Sequence, residues 1–396
     1  MKLYAQHGFG KGDKIDRGFE DELLDGVIIG PNNERPDSLS ACVERYSQLD
    51  SNPDIMIDPQ LYVSLVSNAK EGNLPLYDQY YVSDLTLRDF TPRRIAEIVE
   101  NTLDFQSRFP VTHLISPTIL LESFTNRSAQ IAHFLAQESV EYHDSLDDAP
   151  LLLLSYVFHE NALGSHEQVT EFLDTVSLYT ASGFYLVVIK PTGAQYHQMF
   201  PPERMAEWLL MIYSLSVRNR FQVVCGYTDF LSYPAAAAGA TAGATGWFNT
   251  LRQFDIRRFQ PSTGGRPAKE RYSSAPLLNS VYLQELINCF DAGIIDRVLT
   301  RTPYDRVFRQ NRPDPSDWPP DISTLHHWAT LKKLFERMNE KNSRERLQIL
   351  EESITAAWDL YQALQRRDLH FDPTTGYGHL RDWAEGNRLF RSHAKL

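Results

Sequence analysis

The sequence has few cysteines and no long apolar segment. Its three cysteines, Cys42, Cys225 and Cys289, lie far apart, so no CxxC or CxC pair indicates a metal site, and a disulfide scaffold is excluded. No apolar stretch approaches the roughly 20 residues that span a bilayer, and the amino terminus lacks the apolar core of a signal peptide. These absences predict a cytoplasmic protein that does not cross a membrane.

The chain also has no excess of positive charge. The chain has 39 Lys and Arg against 51 Asp and Glu, a net charge of −12, which excludes a surface that is basic all over. A local basic groove remains compatible with this total, because phosphate binding depends on clustered Lys and Arg. With 42% hydrophobic and 23% charged residues over 396 positions, the composition is typical of a globular protein with a substantial core.

Short segments rich in Val, Ile and Leu alternate with amphipathic segments along most of the chain. This alternation is typical of parallel strands covered by helices, and it predicts an α/β fold, a (β/α)8 TIM-type barrel over residues 1–312. A proline-rich connection then leads to amphipathic segments that predict a helical hairpin and tail, residues 321–396, packed on the barrel. The predicted strands are Lys2–Gln6, Val27–Gly30, Ile55–Asp58, His113–Ser116, Leu151–Val157, Tyr185–Ile189, Gln222–Cys225 and Ala242–Gly246.

Acidic residues follow three of the predicted strands. Asp58, Glu160 and Asp229 come at or just after the third, fifth and seventh strands. Because the active site of such a barrel lies at the carboxyl ends of the strands, we expect these carboxylates to share a pocket. Together they would supply a general acid and a general base, and the third carboxylate would orient water or hold a bound nucleobase. Each acid also has a purely structural interpretation, as a helix cap or turn residue.

Lys190 follows the sixth predicted strand. A buried lysine at this place could form a Schiff base with a carbonyl substrate, bind an anion, or pair with one of the acids. The histidines show no metal-ligand spacing, so the sequence predicts no metal and no cofactor.

Positive charge is concentrated between Leu251 and Arg312, where eleven Lys and Arg face six Asp and Glu. Aromatic residues are interleaved with these cations, a pattern that suits phosphates and unstacked bases, although a solvated charged loop has the same composition. The predicted phosphate contacts are Lys11, Arg252, Arg257, Arg258 and Arg266. The predicted base-binding side chains are Gln60, Tyr62, Tyr227 and Trp247.

Three segments, 58–62, 246–252 and 271–278, resemble the tRNA-guanine transglycosylase superfamily, including its DNA-acting, phage-defence members. The resemblance implies a barrel that exchanges or excises a nucleobase, an Asp at the position of Asp58, and a helix near residues 271–278. The chain lacks the family's Ser-Gly-Gly after this Asp and its zinc-binding cysteines near Arg266. It also lacks the carboxylate nucleophile expected near Ala244–Gly246, so hydrolysis without a covalent sugar intermediate is favoured.

The sequence therefore predicts a metal-independent DNA glycosylase. It would flip a modified base, such as glucosylated hydroxymethylcytosine of phage DNA, into the barrel and leave an abasic site. Three alternatives remain open: a transglycosylase that inserts a 7-deazaguanine derivative into DNA or RNA, a Schiff-base lyase that uses Lys190, and a noncatalytic nucleic-acid-binding barrel. The expected partner is DNA, and no sequence feature indicates the oligomeric state.

Overall fold

Parallel strands and surrounding helices dominate the computed structural model, which describes residues 1–190, 198–260 and 269–396. The strands are β1 (Lys2–Gln6), β2 (Gly26–Ile29), β3 (Asp54–Ile57), β4 (His113–Ile115), β5 (Leu120–Leu121), β6 (Leu151–His159), β7 (Gly183–Ile189), β8 (Gln222–Gly226), β9 (Ala242–Thr245), β10 (Arg271–Ser274) and β11 (Asn279–Tyr282). The helices are α1 (Lys14–Glu20), α2 (Pro36–Ser47), α3 (Pro92–Ser107), α4 (Arg127–Asp144), α5 (His166–Val176), α6 (Pro202–Tyr213), α7 (Ser232–Ala238), α8 (Asn249–Arg252), α9 (Leu283–Asp291), α10 (Pro320–Glu336), α11 (Ser343–Gln365) and α12 (Gly378–Ala394).

Eight parallel strands form a nearly closed barrel in the order β3-β2-β1-β9-β8-β7-β6-β4, and the short β5 also pairs with β6. Between β3 and β4 the Thr112 amide donates to the Ile55 carbonyl at 2.9 Å, and the Ile55 amide donates to the Thr112 hydroxyl at 2.8 Å. The fold is thus a TIM-type (β/α)8 barrel, as the sequence predicts, and each of the eight predicted strands is present within a few residues of its predicted ends.

Side chains fill the inside of the barrel. The Tyr185 hydroxyl on β7 lies 3.5 Å from Gln6 Oε1 on β1, and a Cβ at Gly226 would lie 2.8 Å from the Tyr185 ring. Residues along a strand point alternately to the two faces, so the neighbours of Tyr185 on β7 face the helices. This alternation decides which residues beyond the strand ends can reach the barrel axis.

The C-terminal segment, predicted as a helical hairpin and a tail, consists of three helices. Helices α10 and α11 both pack against α7, and α12 runs along α6. The glycine at 386 allows this close approach, because a Cβ there would lie 3.0 Å from the Met205 side chain. The tail of the predicted appendage is therefore a regular helix that covers the outside of the barrel.

The family resemblance implied a helix near residues 271–278, and this prediction is wrong. Residues 271–274 form β10, which pairs antiparallel with β11, with Arg271 opposite Tyr282 and Ser274 opposite Asn279. Tyr272, which is completely buried, donates its hydroxyl proton to Asp305 at 2.6 Å and anchors the hairpin. An aromatic residue followed by two serines fits a paired, half-buried strand better than a helix interior.

No helix in the described part of the chain combines the length and the apolar character needed to cross a membrane.

Candidate active site

Asp58 lies at the carboxyl end of β3 and is 1% exposed. Its side chain accepts a hydrogen bond from the Tyr62 hydroxyl at 2.9 Å and one from the Gln60 amide at 3.1 Å. Burial raises the pKa of Asp58 to about 6, although both hydrogen bonds and the charge of Arg258 act in the opposite direction. Asp58 is therefore a carboxyl group that takes up or releases a proton near neutral pH.

A tight turn after Asp58 builds its surroundings. Gln60 adopts a left-handed backbone conformation with φ of 56°, and the 3-10 turn that follows brings Tyr62 back over Asp58. The Gln60 side chain accepts a hydrogen bond from the Asn32 amide at 3.1 Å, which joins this turn to the loop after β2. Its Nε2 is buried and has no hydrogen-bond partner among the described residues, so it remains a donor for a ligand.

Tyrosines and a glutamine from other strands surround Asp58. Tyr185 and Tyr227 are buried, and burial first, then the negative charge of Asp58, raises the pKa of the Tyr185 hydroxyl. Burial raises the pKa of Tyr227 to about 12, although the nearby Arg258 charge lowers it. Gln6 is also buried in this group, where its side chain lies within hydrogen-bond reach of the Tyr185 and Tyr227 hydroxyls. The group thus offers several uncharged donors and acceptors around one protonatable acid.

The segment 254–259 covers this group from the barrel mouth. The Phe254 and Phe259 rings contact the Tyr62 ring edge-on, with centroid separations of 5.6 Å and 6.2 Å. Arg258 Nη1 donates to the Tyr227 hydroxyl at 3.1 Å, and its guanidinium lies 5.5 Å from the centre of that ring. A ligand that reaches Asp58 through the mouth must therefore displace this segment.

Glu160 belongs to a different cluster. Arg204 Nη1 donates to Glu160 Oε1 at 2.6 Å, and Lys190 Nζ lies 3.9 Å from Oε2. Lys190 also donates to the Met199 carbonyl at 2.7 Å and lies 3.7 Å from the Phe200 ring centre. Burial lowers the pKa of Lys190 to about 7, against the effect of the Glu160 charge. These contacts agree with the ion-pair interpretation of Lys190.

The register of β6 and β7 explains why this cluster lies away from Asp58. Phe158 pairs with Val188, and Val188 and Lys190 line a small cavity of about 20 Å³ together with Trp208 of α6. Lys190 therefore points to the helix layer, opposite to Tyr185, which points to the barrel axis.

Asp229 has a third environment, between the barrel and α10. Gln198 Nε2 donates to its Oδ2 at 2.9 Å, and His327 Nε2 lies 3.3 Å from its Oδ1. Burial raises the pKa of Asp229, whereas the charge of Arg252 lowers it. The described hydrogen-bond and ion-pair partners of Asp58, Glu160 and Asp229 do not overlap. The expectation of one shared pocket is thus wrong, because each acid belongs to a cluster of its own.

The predicted phosphate contacts are likewise dispersed. Lys11 pairs with Glu34 and lies 3.1 Å from Cys42 Sγ. Burial would raise the pKa of Glu34, but hydrogen bonds from His7 and Lys11 outweigh it and bring the pKa to about 2. The charge of Lys11 is thus already neutralised, which argues against a free phosphate contact there.

The predicted arginines differ in exposure. Arg252 is 8% exposed and donates to the Gly246 carbonyl at 3.1 Å. The prediction that Arg252 presents its charge to a phosphate is therefore wrong. Arg257 is exposed but donates from Nε to the Asp255 carboxylate at 2.8 Å. Arg258 lies over the Asp58 group, and Arg266 lies outside the described residues.

Aromatic side chains form a rim beside the barrel mouth. Trp247 donates its indole proton to the Phe9 carbonyl at 2.9 Å, and Phe9 and Phe248 are 78% and 47% exposed. Trp247 and Phe248 also line a cavity of about 350 Å³ that contains the cationic Lys269 and Arg271. The sequence analysis missed Phe9, although a phenylalanine between glycines in a turn after β1 was a usable signal.

A larger cavity of about 710 Å³ opens at the other end of the barrel, beside the amino-terminal ends of β1 and β2. Two of its lysines are paired, since Lys332 donates to Asp25 at 2.7 Å and Lys2 donates to Asp54 at 2.5 Å. Chemistry in TIM barrels occurs at the carboxyl end of the strands, so we place the candidate site at Asp58.

Comparison with known proteins identifies no relative that informs on activity. No protein-family model matches the chain, and no curated protein matches it. Among solved structures, dihydrodipicolinate synthase from Oceanobacillus iheyensis is similar over 100% of this chain and 97% of that chain, with 10% sequence identity and a TM-score of 0.22. A similarity of this size carries no argument about function, so the resemblance to the transglycosylase superfamily stays a prediction and the fold stands on the strand order.

Proposed function

We propose that this protein is an N-glycosyl hydrolase that removes a modified base from DNA, with Asp58 as general acid. The observation that carries the proposal is a buried carboxyl group at the carboxyl end of a barrel strand, whose pKa is raised to about 6. An acid with a pKa near the working pH combines a useful protonated fraction with a useful tendency to donate. The general acids of carboxyl-dependent glycosidases rely on the same property.

In the proposed reaction Asp58 gives its proton to the leaving base as the bond between C1′ and the base nitrogen breaks. The electron pair of that bond stays with the base, and a water molecule adds to C1′ and releases a proton, which leaves an abasic sugar. The resulting Asp58 carboxylate accepts hydrogen bonds from Tyr62 and Gln60 and lies in the field of Arg258. It regains a proton from solvent before the next turnover.

The surrounding groups support recognition of a flat, polar ligand. The buried amide donor of Gln60, which has no partner among the described residues, and the nearby polar groups of Gln6 and Tyr185 suit the edge of a nucleobase. The exposed rings of Phe9 and Phe248 lie on the rim, where they suit stacking of unpaired bases. Together they support a strand that crosses the rim and sends one base inward, a step in which the base displaces the segment 254–259 from Tyr62 and Tyr227.

The proposal favours hydrolysis over base exchange. Residues 242–246, at and just after β9, contain only Ala, Gly and Thr, so the carboxylate nucleophile of base exchange has no counterpart there. A transglycosylase would need Asp58 as nucleophile, and the same carboxyl group would then be unavailable as acid.

The test is base release from DNA. Purified protein is incubated with unmodified DNA, with DNA that carries glucosylated hydroxymethylcytosine, and with DNA that carries a 7-deazaguanine base, and released bases and alkali-labile sites are measured. We expect release from a modified DNA only, and loss of release in Asp58→Asn. Asp54→Asn is the matched control, because Asp54 lies on the same strand at the other end of the barrel. No release from any substrate, or release that survives Asp58→Asn, contradicts the proposal.

One observation favours a second candidate, a Schiff-base lyase. Lys190 is buried, and burial lowers its pKa to about 7, as nucleophilic lysines require. Its direction toward the helix layer and its contacts with Met199 and Glu160 argue for a structural role. Borohydride trapping of a carbonyl substrate, abolished by Lys190→Ala, would favour the lyase over the hydrolase.

A further inference from the structure

Three potential metal ligands meet on the outside of the barrel, away from Asp58. They are His166 at the first residue of α5, Glu207 of α6 and His393 near the end of α12. His166 Nδ1 lies 3.0 Å and 3.1 Å from the two Glu207 oxygens, and His393 Nδ1 lies 2.8 Å from Glu207 Oε1. One ligand atom from each residue lies within 4.8 Å of the other two.

The carboxylate of Glu207 is buried, with 4% of its side chain exposed. Within the described residues its hydrogen-bond and ion-pair partners are these two imidazoles, and no Lys or Arg pairs with it. A ring nitrogen of each imidazole and an oxygen of the carboxylate can all act as metal ligands. A cation held between the three side chains would contact a buried carboxylate and two ring nitrogens at once.

The donor set decides the class of cation. Two imidazole nitrogens and one carboxylate oxygen are ligands of zinc and similar first-row divalent metals, whereas calcium and magnesium prefer oxygen alone. Metal–ligand bonds of about 2.0–2.1 Å separate neighbouring ligand atoms by roughly 3.3 Å in a tetrahedron. The separations of 3.0 Å and 2.8 Å between the two imidazole nitrogens and Glu207 Oε1 are within a few tenths of an ångström of that value, and the two imidazole nitrogens lie within 4.8 Å of each other. The His166 side chain is 52% exposed, which leaves a fourth position for water.

We propose that His166, Glu207 and His393 bind one divalent transition metal of the zinc class. The metal joins three separate helices and fastens α12 to the barrel wall, where α12 already packs on α6. The sequence predicted no metal because the three ligands are separated by 41 and 186 residues, with no motif spacing between them. The proposal is independent of the Asp58 chemistry.

Zinc binding by the whole chain tests this directly. Protein freed of metal with a chelator is titrated with Zn²⁺ by calorimetry, and the bound metal is counted after dialysis. We expect about one Zn²⁺ per chain and an upward shift of Tm by a few degrees in its presence, since a ligand of the folded state stabilises it. Wild-type protein that retains no Zn²⁺, or whose Tm does not rise, overturns the proposal.

The variants His393→Ala and Glu207→Gln should lower the Zn²⁺ affinity by about 100-fold or more and abolish the Tm shift. His370→Ala is the matched control, because His370 is exposed and also lies beside a carboxylate, that of Asp368. Tm in chelator and the circular dichroism spectrum show whether each variant folds. If Glu207→Gln does not fold, His166→Asn replaces it, since His166 is half exposed. Unchanged Zn²⁺ affinity in a folded ligand variant overturns the assignment.

Discussion

Two buried carboxylates at the carboxyl end of the barrel have opposite surroundings. Asp58, inside the barrel, accepts hydrogen bonds from a phenol and a backbone amide, and burial raises its pKa to about 6. Glu160, on the helix side, accepts a hydrogen bond from Arg204 and lies beside Lys190. Both are at most 2% exposed. Burial alone therefore does not make a catalytic acid, and the charge of the neighbours separates a proton donor from an ion-pair anchor.

The largest expected difference concerns activity. If the base-release reaction is found, Asp58→Asn should lower the single-turnover rate by about 100-fold or more, because general acid catalysis contributes about 10²–10⁴. Glu160→Gln should change the rate by less than about tenfold, since Glu160 does not face the barrel interior. A loss in Glu160→Gln as large as that in Asp58→Asn, with both proteins folded, would remove the distinction between the two acids.

Stability should change in opposite directions. Glu160→Gln leaves Lys190 and Arg204 facing a neutral amide and should lower the free energy of unfolding by about 3 kcal/mol. Asp58→Asn should raise it at pH 7 by up to about 3 kcal/mol, which corresponds to the difference between a pKa of about 6 and the ordinary 3.8. Urea unfolding at pH 7 measures both.

The pH dependence of the Asp58 effect has a definite sign. Between about pH 4 and pH 6 the folded state holds the Asp58 proton that the unfolded state has released, so wild-type stability relative to Asp58→Asn falls as pH rises. Above about pH 6 the difference is constant. If wild-type stability relative to Asp58→Asn rose with pH over this range, the folded state would favour the carboxylate of Asp58 and not its protonated form.

A smaller effect is expected at the aromatic rim. Phe9→Ser should weaken binding of single-stranded DNA by about 1–2 kcal/mol, because one stacking surface is lost. Phe134→Ser is the matched control, since Phe134 is 57% exposed on α4, away from the rim. Fluorescence anisotropy at fixed salt measures both variants, and equal affinities would remove the rim from the DNA-binding surface.

The smallest expected change comes from Tyr62→Phe. Its hydroxyl stabilises the ionised form of Asp58, so its removal should raise the pKa of Asp58 from about 6 to about 7. The midpoint of the pH-dependent stability difference should move upward by the same amount. An unchanged midpoint would show that Tyr62 contributes packing only.

The fold was predictable because strand periodicity is a local signal. Eight apolar segments identified the eight barrel strands, and the positions after the strands gave Asp58 as one of three acids, together with Glu160 and Asp229. The direction of residues after a strand end was not predictable to the same extent. Glu160 and Lys190 follow strands as Asp58 does, but they point to the helices because they continue the outward register of β6 and β7.

Contacts between distant segments were beyond the sequence analysis. The pairing of Lys11 with Glu34 and the burial of Arg252 depend on how loops fold over the barrel, and charge counting treats both cations as available to phosphate. The His166, Glu207 and His393 cluster likewise requires α12 to lie along α6. Such long-range contacts leave no periodic pattern in the chain.

The most direct test is a titration of Asp58 itself by carbon-13 NMR, with aspartate labelled at its carboxyl carbon and the Asp58 signal identified by its absence in Asp58→Asn. A midpoint near pH 6 is expected if burial outweighs the hydrogen bonds from Tyr62 and Gln60. A midpoint at or below about pH 4, the ordinary range of an aspartate, would contradict the assignment of Asp58 as the proton donor of this barrel.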